Sequence, residues 1–334
     1  MKYSNKRKIR ALILVFVMFL FAANTMLAGD SFAGYFLRFS TSAKASAMGK
    51  AGIATIEDPS AIYWNPANLR QIDTKQLLLL HSQYFISDIN YDFASFVYPG
   101  EDHTFGIGFS RLAVDNIVDS RKAQIITNNG DWYLDYSKLS YFSTADYAFY
   151  FSYARDWSEE FHYAITAKLI YRDFSSQSAY GIGFDAGVDY RPTENLILGG
   201  IIQDITTTPI FYSTDHSEYT LPRIRLGAAY NLLVESFDMR FTPTLQIDMY
   251  LEAVPDAMIE NDYLSLESPF GLEIAYHERI FARVGLDENE RMTLGAGLML
   301  GGFSMDYAFT SYADELGNIN VIAVNIDFLK LFGF

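Results

Sequence analysis

Hydrophobic and polar residues alternate along most of the chain after residue 75. The clearest stretch covers 180–191, where every second residue is apolar: Tyr180, Ile182, Phe184, Ala186, Val188 and Tyr190. The positions between them hold small or charged residues: Gly181, Gly183, Asp185, Gly187, Asp189 and Arg191. Successive side chains of a strand point to opposite faces. The pattern therefore predicts a strand with one face toward lipid and the other toward a polar interior.

Similar stretches recur to the end of the chain, separated by polar or turn-forming segments. The predicted strands are 76–85, 89–98, 103–112, 146–154, 161–172, 180–191, 196–205, 222–232, 238–251, 269–278, 280–286, 291–300, 303–312 and 319–328. Their length is typical of strands that span an outer membrane, and an even number returns the chain to its starting side. We expect an all-β fold, a closed antiparallel transmembrane barrel of about fourteen strands. A soluble β-sandwich is the alternative, but single cores rarely grow to this size.

Three segments interrupt the alternation, and we interpret them as outer loops. They are 113–141, which carries the turn signal Asn128-Asn129-Gly130, then 204–218, and finally the acidic segment 252–267. The short polar connector 155–160 is typical of a periplasmic turn. The first loop is either a simple solvated loop or a lid over the barrel mouth.

The N-terminus resembles a secretory signal peptide. Five basic residues lie within the first ten positions, and the apolar run 11–23 and a small-residue exit follow. Cleavage after Ala28 is possible, but Ser31 and Ala33 favour cleavage after Ala33. A retained anchor is the alternative, although the run is shorter than the roughly 20 residues that a spanning helix needs. Export and the barrel pattern together predict that the protein lies in the bacterial outer membrane and contacts its lipid.

Composition narrows the functional classes. The net charge of −15 argues against nucleic-acid binding. With no cysteine in the chain, disulfides and thiolate metal sites are excluded. Aromatic residues make up 16% of the sequence, which suits the outer face of a barrel.

The segment 34–74 lies between the signal peptide and the first strand and is rich in small residues, such as Ala43, Ala45, Ala47 and Gly49. Small side chains allow close backbone packing, so we expect this segment to enter the lumen as a plug or hatch; a periplasmic tail is the alternative. The predicted organisation is a signal peptide at 1–33, a hatch at 34–74 and a barrel at 75–334.

Three runs in this region carry a family resemblance: FLRFS at 36–40, the segment 43–52, and DPSAIYWNPANL at 58–69. They resemble the N-terminal signature of the PorV/PorQ family, which is related to the FadL-type (OMPP1/FadL/TodX) transporters. The resemblance implies a hatch motif at Asn65, Pro66 and Ala67. Asn68 stands where many relatives have glycine. The final Phe332 and Phe334 resemble the signal that the outer-membrane assembly machinery reads.

The resemblance implies two functions and does not decide between them. PorV-like proteins act in type IX secretion, so the partners would be secretion-system proteins. FadL-like proteins pass a hydrophobic small molecule along a lateral or hatch-gated path. A structural barrel with a sealed lumen is a third hypothesis, and all three are non-enzymatic and need no cofactor.

Few residues indicate a catalytic, metal or nucleotide site. The histidines are His81, His103, His162, His216 and His277. An outer-membrane lipid hydrolase would need a histidine beside a serine, but His81 and Ser82 are neighbours and face opposite ways in a strand. No histidine or carboxylate spacing predicts a metal site. The Gly-x-Gly pairs lie within predicted strands, so they do not indicate a nucleotide site.

The remaining candidate site is a set of charged residues on the inward faces. They are Asp185, Asp189, Arg191, Arg223, Arg225, Arg240, Asp248, Glu273 and Asp306. Buried charges need partners. The set is either an ion-pair network that holds the hatch or a polar lining along which a solute moves, and the sequence leaves both open.

Overall fold

The computed structural model describes residues 34–84, 89–126, 132–255, 257–311 and 317–333. Within them the fold is a closed antiparallel β-barrel of 14 strands, as the alternation predicted. The wall strands are β1 Gln76–Tyr84, β2 Ile89–Pro99, β3 His103–Asp119, β4 Ser140–Asp156, β5 Phe161–Asp173, β6 Ser178–Tyr190, β7 Leu196–Gln203, β8 Arg223–Tyr230, β9 Met239–Tyr250, β10 Phe270–Tyr276, β11 Ile280–Leu286, β12 Met292–Leu300, β13 Phe303–Thr310 and β14 Ile319–Asp327. The predicted signal peptide lies outside the described residues.

The barrel closes where its last strand pairs with its first. The ladder between β14 and β1 runs from Gln76 opposite Asp327 to Gln83 opposite Asn320. Closure removes the unpaired edges that an open sheet would expose. The end of the barrel that carries Gln76 and Asp327 is called the lower rim below, and the opposite end the upper rim.

The two faces of the wall separate as predicted. In β6, Tyr180 and Phe184 are exposed on the outer face, whereas Asp185 and Asp189 are buried inside. Exposed aromatic and aliphatic side chains continue around the outer face on the other strands, as with Phe151 of β4 and Leu294 of β12. No helix among the described residues is long and apolar enough to cross a membrane.

The prediction of three outer loops is partly wrong, because strands occupy much of these segments. β3 and β4 continue to Asp119 and from Ser140, far into the predicted loop 113–141. Their register shifts between Val114 and Ile117. A bulge adds a residue to one strand and breaks the period of two, which is why the alternation could not reveal these extensions.

Short strands occupy the other predicted loops and the top of the first one. They are Gln124–Ile126 with Trp132–Leu134, Thr208–Tyr212 with Ser217–Thr220, and Ile259–Asn261 with Leu264–Glu267. The strand Thr208–Tyr212 also pairs with β6, and Leu264–Glu267 pairs with β9, so both extend the wall at the upper rim. The turn signal at 128–130 lies outside the described residues.

Residues 34–74, called the luminal segment below, fold inside the barrel. Two short helices, α1 Ala43–Ala47 and α2 Ala61–Trp64, lie between the 3₁₀ turns Tyr35–Arg38 and Pro66–Gln71. The small side chains of α1 are fully buried against β12 and β13. A third short helix, α3 Phe328–Phe332, follows the last strand at the lower rim.

Candidate functional site

The Asn-Pro-Ala motif joins the luminal segment to the wall. The side-chain oxygen of Asn65 accepts a hydrogen bond from the Ala67 N–H at 3.3 Å, which caps the turn that Pro66 begins. The Asn65 side-chain amide donates to the carbonyl of Val188 in β6 at 3.0 Å. The wall approaches closely here because position 187 is glycine: a Cβ there would lie 2.4 Å from the Asn65 side-chain oxygen. The motif is therefore a structural joint.

Asn68 completes this joint, although its departure from the family pattern looks minor in the sequence. Its side-chain amide donates to the carbonyls of Ile53 and Ile56 at 3.1 and 3.0 Å. It also accepts from the Asn65 amide at 3.1 Å. Glycine could make none of these bonds. The two buried asparagines thus hold the chain path of the luminal segment from 53 to 68.

The inward charged residues form separate clusters rather than one network. At the lower rim, Arg191 pairs with Asp189 at 2.9 Å and with Glu57 of the luminal segment at 2.7 Å. Asp189 also accepts a hydrogen bond from Gln71 at 3.0 Å. Since Glu57 and Gln71 belong to the luminal segment, this cluster ties that segment to the end of β6.

A second cluster surrounds Lys168 of β5. Its ammonium lies 2.8 Å from Asp185 and 2.7 Å from Asp204, and all three side chains are buried. Asp204 follows β7 in a left-handed backbone conformation, and its N–H donates to Asp185 at 2.8 Å. This cluster joins wall strands and the start of an upper connection, without a residue of the luminal segment.

A third cluster surrounds Asp248 of β9. Arg223 lies 2.5 Å and Arg225 3.0 Å from its two oxygens, and the Gln246 amide donates to it at 2.8 Å. The other end of the Gln246 side chain accepts from the Ile53 N–H at 3.0 Å. The cluster thus reaches the luminal segment through one glutamine.

A fourth cluster surrounds Glu273 of β10. Arg283 lies 2.7 Å away, Arg240 lies 3.4 Å away, and Lys44 of α1 also lies 3.4 Å away. Arg283 continues to Asp306 at 2.5 Å. All nine predicted charged residues are therefore paired, and three of the clusters include or reach the luminal segment.

The sequence missed several partners in these clusters. Glu57, Gln71 and Lys44 lie in the luminal segment, where no strand period assigned them a direction. The alternation already places Lys168 on an inward face, although it is not in the candidate set. Arg283 and Gln246 also lie at inward positions of wall strands, so the same alternation could have found them.

Above the luminal segment, a cleft of about 180 Å³ opens toward the upper rim. Its aromatic and aliphatic walls come from Phe39, Tyr63, Trp64, Tyr84, Tyr250 and Ile319. Its polar lining includes Arg223, Arg225, Lys50, Glu267 and Glu288. Polar and apolar groups contribute about equally to the lining, so the cleft is more polar than most small-molecule sites, which are mainly apolar with a few placed polar groups.

Buried donors without partners distinguish one wall of this cleft. Within the described residues, Arg225 Nη1, Arg223 Nε and Trp64 Nε1 find no hydrogen-bond acceptor. The Arg225 guanidinium also stacks on the Trp64 ring, with its central carbon 4.5 Å from the ring centroid. An unsatisfied buried donor is costly, so this wall is suited to a ligand that carries an acceptor.

Lys50 of the luminal segment pairs with Glu288, in the turn between β11 and β12 at the edge of the cleft. Burial raises the pKa of Glu288, but the charge of Lys50 and its hydrogen bond together lower this pKa by a larger amount. The net pKa lies below the ordinary value of 4.5. This pair is a charged tie between the luminal segment and the upper rim.

The structure gives no arrangement for hydrolysis at His81 and Ser82. His81 is exposed on the outer face and pairs with Asp92 at 2.7 Å, whereas Ser82 is fully buried on the inner face. Among the described residues, no group of three histidines or carboxylates could hold a metal ion.

The predicted assembly signal falls on the chain after the wall. Phe332 ends α3 and is exposed, and the last strand already ends at Asp327. Phe334 lies outside the described residues. The role of these phenylalanines in assembly stays a prediction.

The fold is similar to that of solved FadL-type outer-membrane transporters. The toluene transporter TbuX of Ralstonia pickettii has a TM-score of 0.57 and 15% identity, over 86% of this chain and 98% of that one. The toluene transporter TodX of Pseudomonas putida has a TM-score of 0.54 and 13% identity, over 86% and 96%. A Pseudomonas aeruginosa FadL homologue has a TM-score of 0.53 and 11% identity, over 86% and 98%.

No protein-family profile and no curated protein matches the sequence. At the identities above, the likeness shows a shared barrel fold that extends over nearly the whole of each neighbour. The predicted relation to FadL-type barrels therefore holds at the level of the fold. Membership of the PorV/PorQ family is not shown and stays a prediction.

Proposed function

We propose that the protein is a non-enzymatic channel of the bacterial outer membrane that admits hydrophobic small molecules, with residues 34–74 acting as its hatch. The upper rim would face the outside and the lower rim the periplasm. The observation that carries the proposal is the cleft of about 180 Å³, whose floor is the luminal segment. A molecule that enters from the upper rim meets aromatic side chains first and then a segment that must move.

The lining of the cleft indicates the kind of ligand. Tyr63, Trp64 and Tyr250 supply flat apolar surface, and the unpaired donors of Arg223 and Arg225 lie on the same side. We infer a ligand with an apolar body and one hydrogen-bond acceptor. The named neighbours support passage of apolar compounds, since two of them are described as toluene transporters.

The secretion hypothesis has no comparable support. The exposed aromatic residues of the upper connections, such as Trp132 and Tyr136, suit a protein partner no better than any other amphipathic surface. A role in type IX secretion stays a prediction, as does a sealed structural barrel.

A reversible crosslink tests whether the luminal segment gates the path. Ala54 faces Gly227 of β8, and a Cβ at Gly227 would lie 3.5 Å from the Ala54 Cβ, which is within the range for a disulfide. The natural chain has no cysteine, so Ala54→Cys with Gly227→Cys is the only thiol pair. Uptake of radiolabelled acetophenone, an aromatic compound with one hydrogen-bond acceptor, is measured in cells of an outer-membrane host that expresses the variant with and without reductant.

We expect uptake that is lost on oxidation and recovers on reduction. Each single cysteine variant is the matched control and should not respond. Unchanged uptake with the crosslink verified would contradict a moving hatch. If the unmodified protein does not raise uptake above the host alone, the channel function is wrong and the sealed barrel gains support.

A further inference from the structure

The short C-terminal helix α3 turns back onto the outside of the barrel. The Phe328 N–H donates to the Lys75 carbonyl at the start of β1 at 3.0 Å. The Phe328 ring packs edge-on against Phe96 of β2, with 6.1 Å between ring centroids. The helix therefore reaches from the end of the last strand across the first strand to the second.

Phe96 lies on the outer face of the wall. It pairs across the ladder with Leu77, and Leu77 pairs in turn with Ile326, so these three side chains share one face. The neighbours on the opposite face, Leu78 and Val97, are buried by the luminal segment. The contact of Phe328 with Phe96 thus places α3 on the side of the wall that faces lipid.

The ends of α3 are well defined for so short a helix. The Asp327 side chain accepts from the Lys330 N–H at 3.1 Å at the first turn. Gly333 ends the helix in a left-handed conformation, and its N–H donates to the Leu329 carbonyl at 2.9 Å. Leu331 packs over the turn between β12 and β13, where a Cβ on Gly302 would lie 2.5 Å from its Cγ. The helix is therefore held in one orientation.

That orientation leaves two large apolar side chains exposed. Leu329 is 51% exposed and Phe332 is 59% exposed, next to the apolar outer face of β1 and β2. Lys330 supplies the polar side of the helix and pairs with Asp327 at 3.3 Å. A helix with apolar residues on one side and a lysine on the other is suited to the boundary between head groups and acyl chains.

We propose that α3 is an interfacial anchor that inserts Leu329 and Phe332 into the periplasmic leaflet and covers the seam at which β14 and β1 close the barrel. Its partner is lipid, because its apolar side is continuous with the lipid-facing band of the wall. An amphipathic helix of this kind buries its apolar side roughly 5–10 Å below the membrane surface. The inference rests on the membrane location of the proposed channel.

Single cysteines test the anchor in the full-length barrel, because the natural chain has none. An environment-sensitive fluorophore is attached at Leu329→Cys. It is also attached at Ile322→Cys, on the outer face of β14, and at Glu159→Cys, in the lower turn between β4 and β5. The barrels are placed in phosphatidylcholine–phosphatidylglycerol nanodiscs, part of whose lipid carries a spin-label quencher near the head group.

We expect blue-shifted emission at position 329 and quenching at least about twofold stronger than at position 159, as for a shallowly inserted side chain. Position 322 reports on the wall itself. If position 322 is in lipid but position 329 behaves like position 159, the anchor is wrong and the channel proposal survives. If neither position 322 nor position 329 contacts lipid, the membrane assignment fails, and the anchor with it.

Discussion

The carboxylate of Asp248 forms ion pairs with two buried guanidinium groups, those of Arg223 and Arg225. It lies 2.5 Å from Arg223 and 3.0 Å from Arg225, and the side chains of Asp248 and Arg225 are each 2% exposed. Asp248→Asn keeps the shape but removes the countercharge. Removing one partner of a buried ion pair costs about 3–5 kcal/mol, because the remaining charge stays desolvated. The amide oxygen of asparagine can still accept one hydrogen bond, so we expect the lower end, about 3 kcal/mol.

The assay is equilibrium unfolding of the barrel in lipid by guanidinium chloride, followed by circular dichroism. Asp119→Asn is the matched control, since the partner of Asp119 is Arg121, whose side chain is 73% exposed. An exposed pair contributes at most about 1 kcal/mol. Because Arg225 stacks on Trp64, the Asp248 variant should also make the tryptophan more accessible to acrylamide. A loss below 1 kcal/mol would refute the reasoning, because it would show that water already screens this cluster.

Further predictions concern the wall, the joint and the tie at the upper rim. Phe184→Arg should lower the free energy of unfolding by ~2–4 kcal/mol if this side chain faces lipid near the midplane, whereas Leu233→Arg, near the lower rim, should cost about 1 kcal/mol or less. Gly187→Ala should cost about 1–3 kcal/mol by overpacking, measured in the same titration; a neutral result would mean that the luminal segment moves aside freely. The pKa of Glu288 is depressed in the folded state. The ionised Glu288 therefore stabilises the fold above pH 4.5, and this stabilisation is lost as the pH falls through the pKa of the folded state. Without Lys50, burial would raise the pKa of Glu288, so Lys50→Met should abolish the loss of stability on acidification, as read from unfolding titrations across pH; an unchanged profile would contradict the tie.

The wall could be predicted from the sequence because each of its strands has different surroundings on its two faces. Phe184 and Asp185 are adjacent in sequence, yet one faces outward and the other contacts Lys168, and this contrast is visible in the residues alone. The extensions of β3 and β4 could not be predicted in the same way. The bulge between Val114 and Ile117 interrupts the period there.

The luminal segment shows where sequence reasoning stops. Its small residues predicted tight packing, and the side chain of Ala47 indeed lies where a Cβ on Gly295 would clash, at 2.3 Å. The irregular path of the segment has no period that assigns directions to side chains. The contacts of Glu57 and Lys44 with the wall depend on long-range placement, which only the folded chain defines.

The attachment of the luminal segment limits how the proposed channel could open. Only 73–75 connect its last turn, which ends at Gln71 and Ile72, to β1. Three residues span at most about 11 Å when extended, so the luminal segment stays close to the start of β1. It can move within the barrel or swing about the lower rim, but it cannot diffuse away from its own barrel. In the proposed channel, the segment would therefore reseat after each passage without having to find its own barrel again.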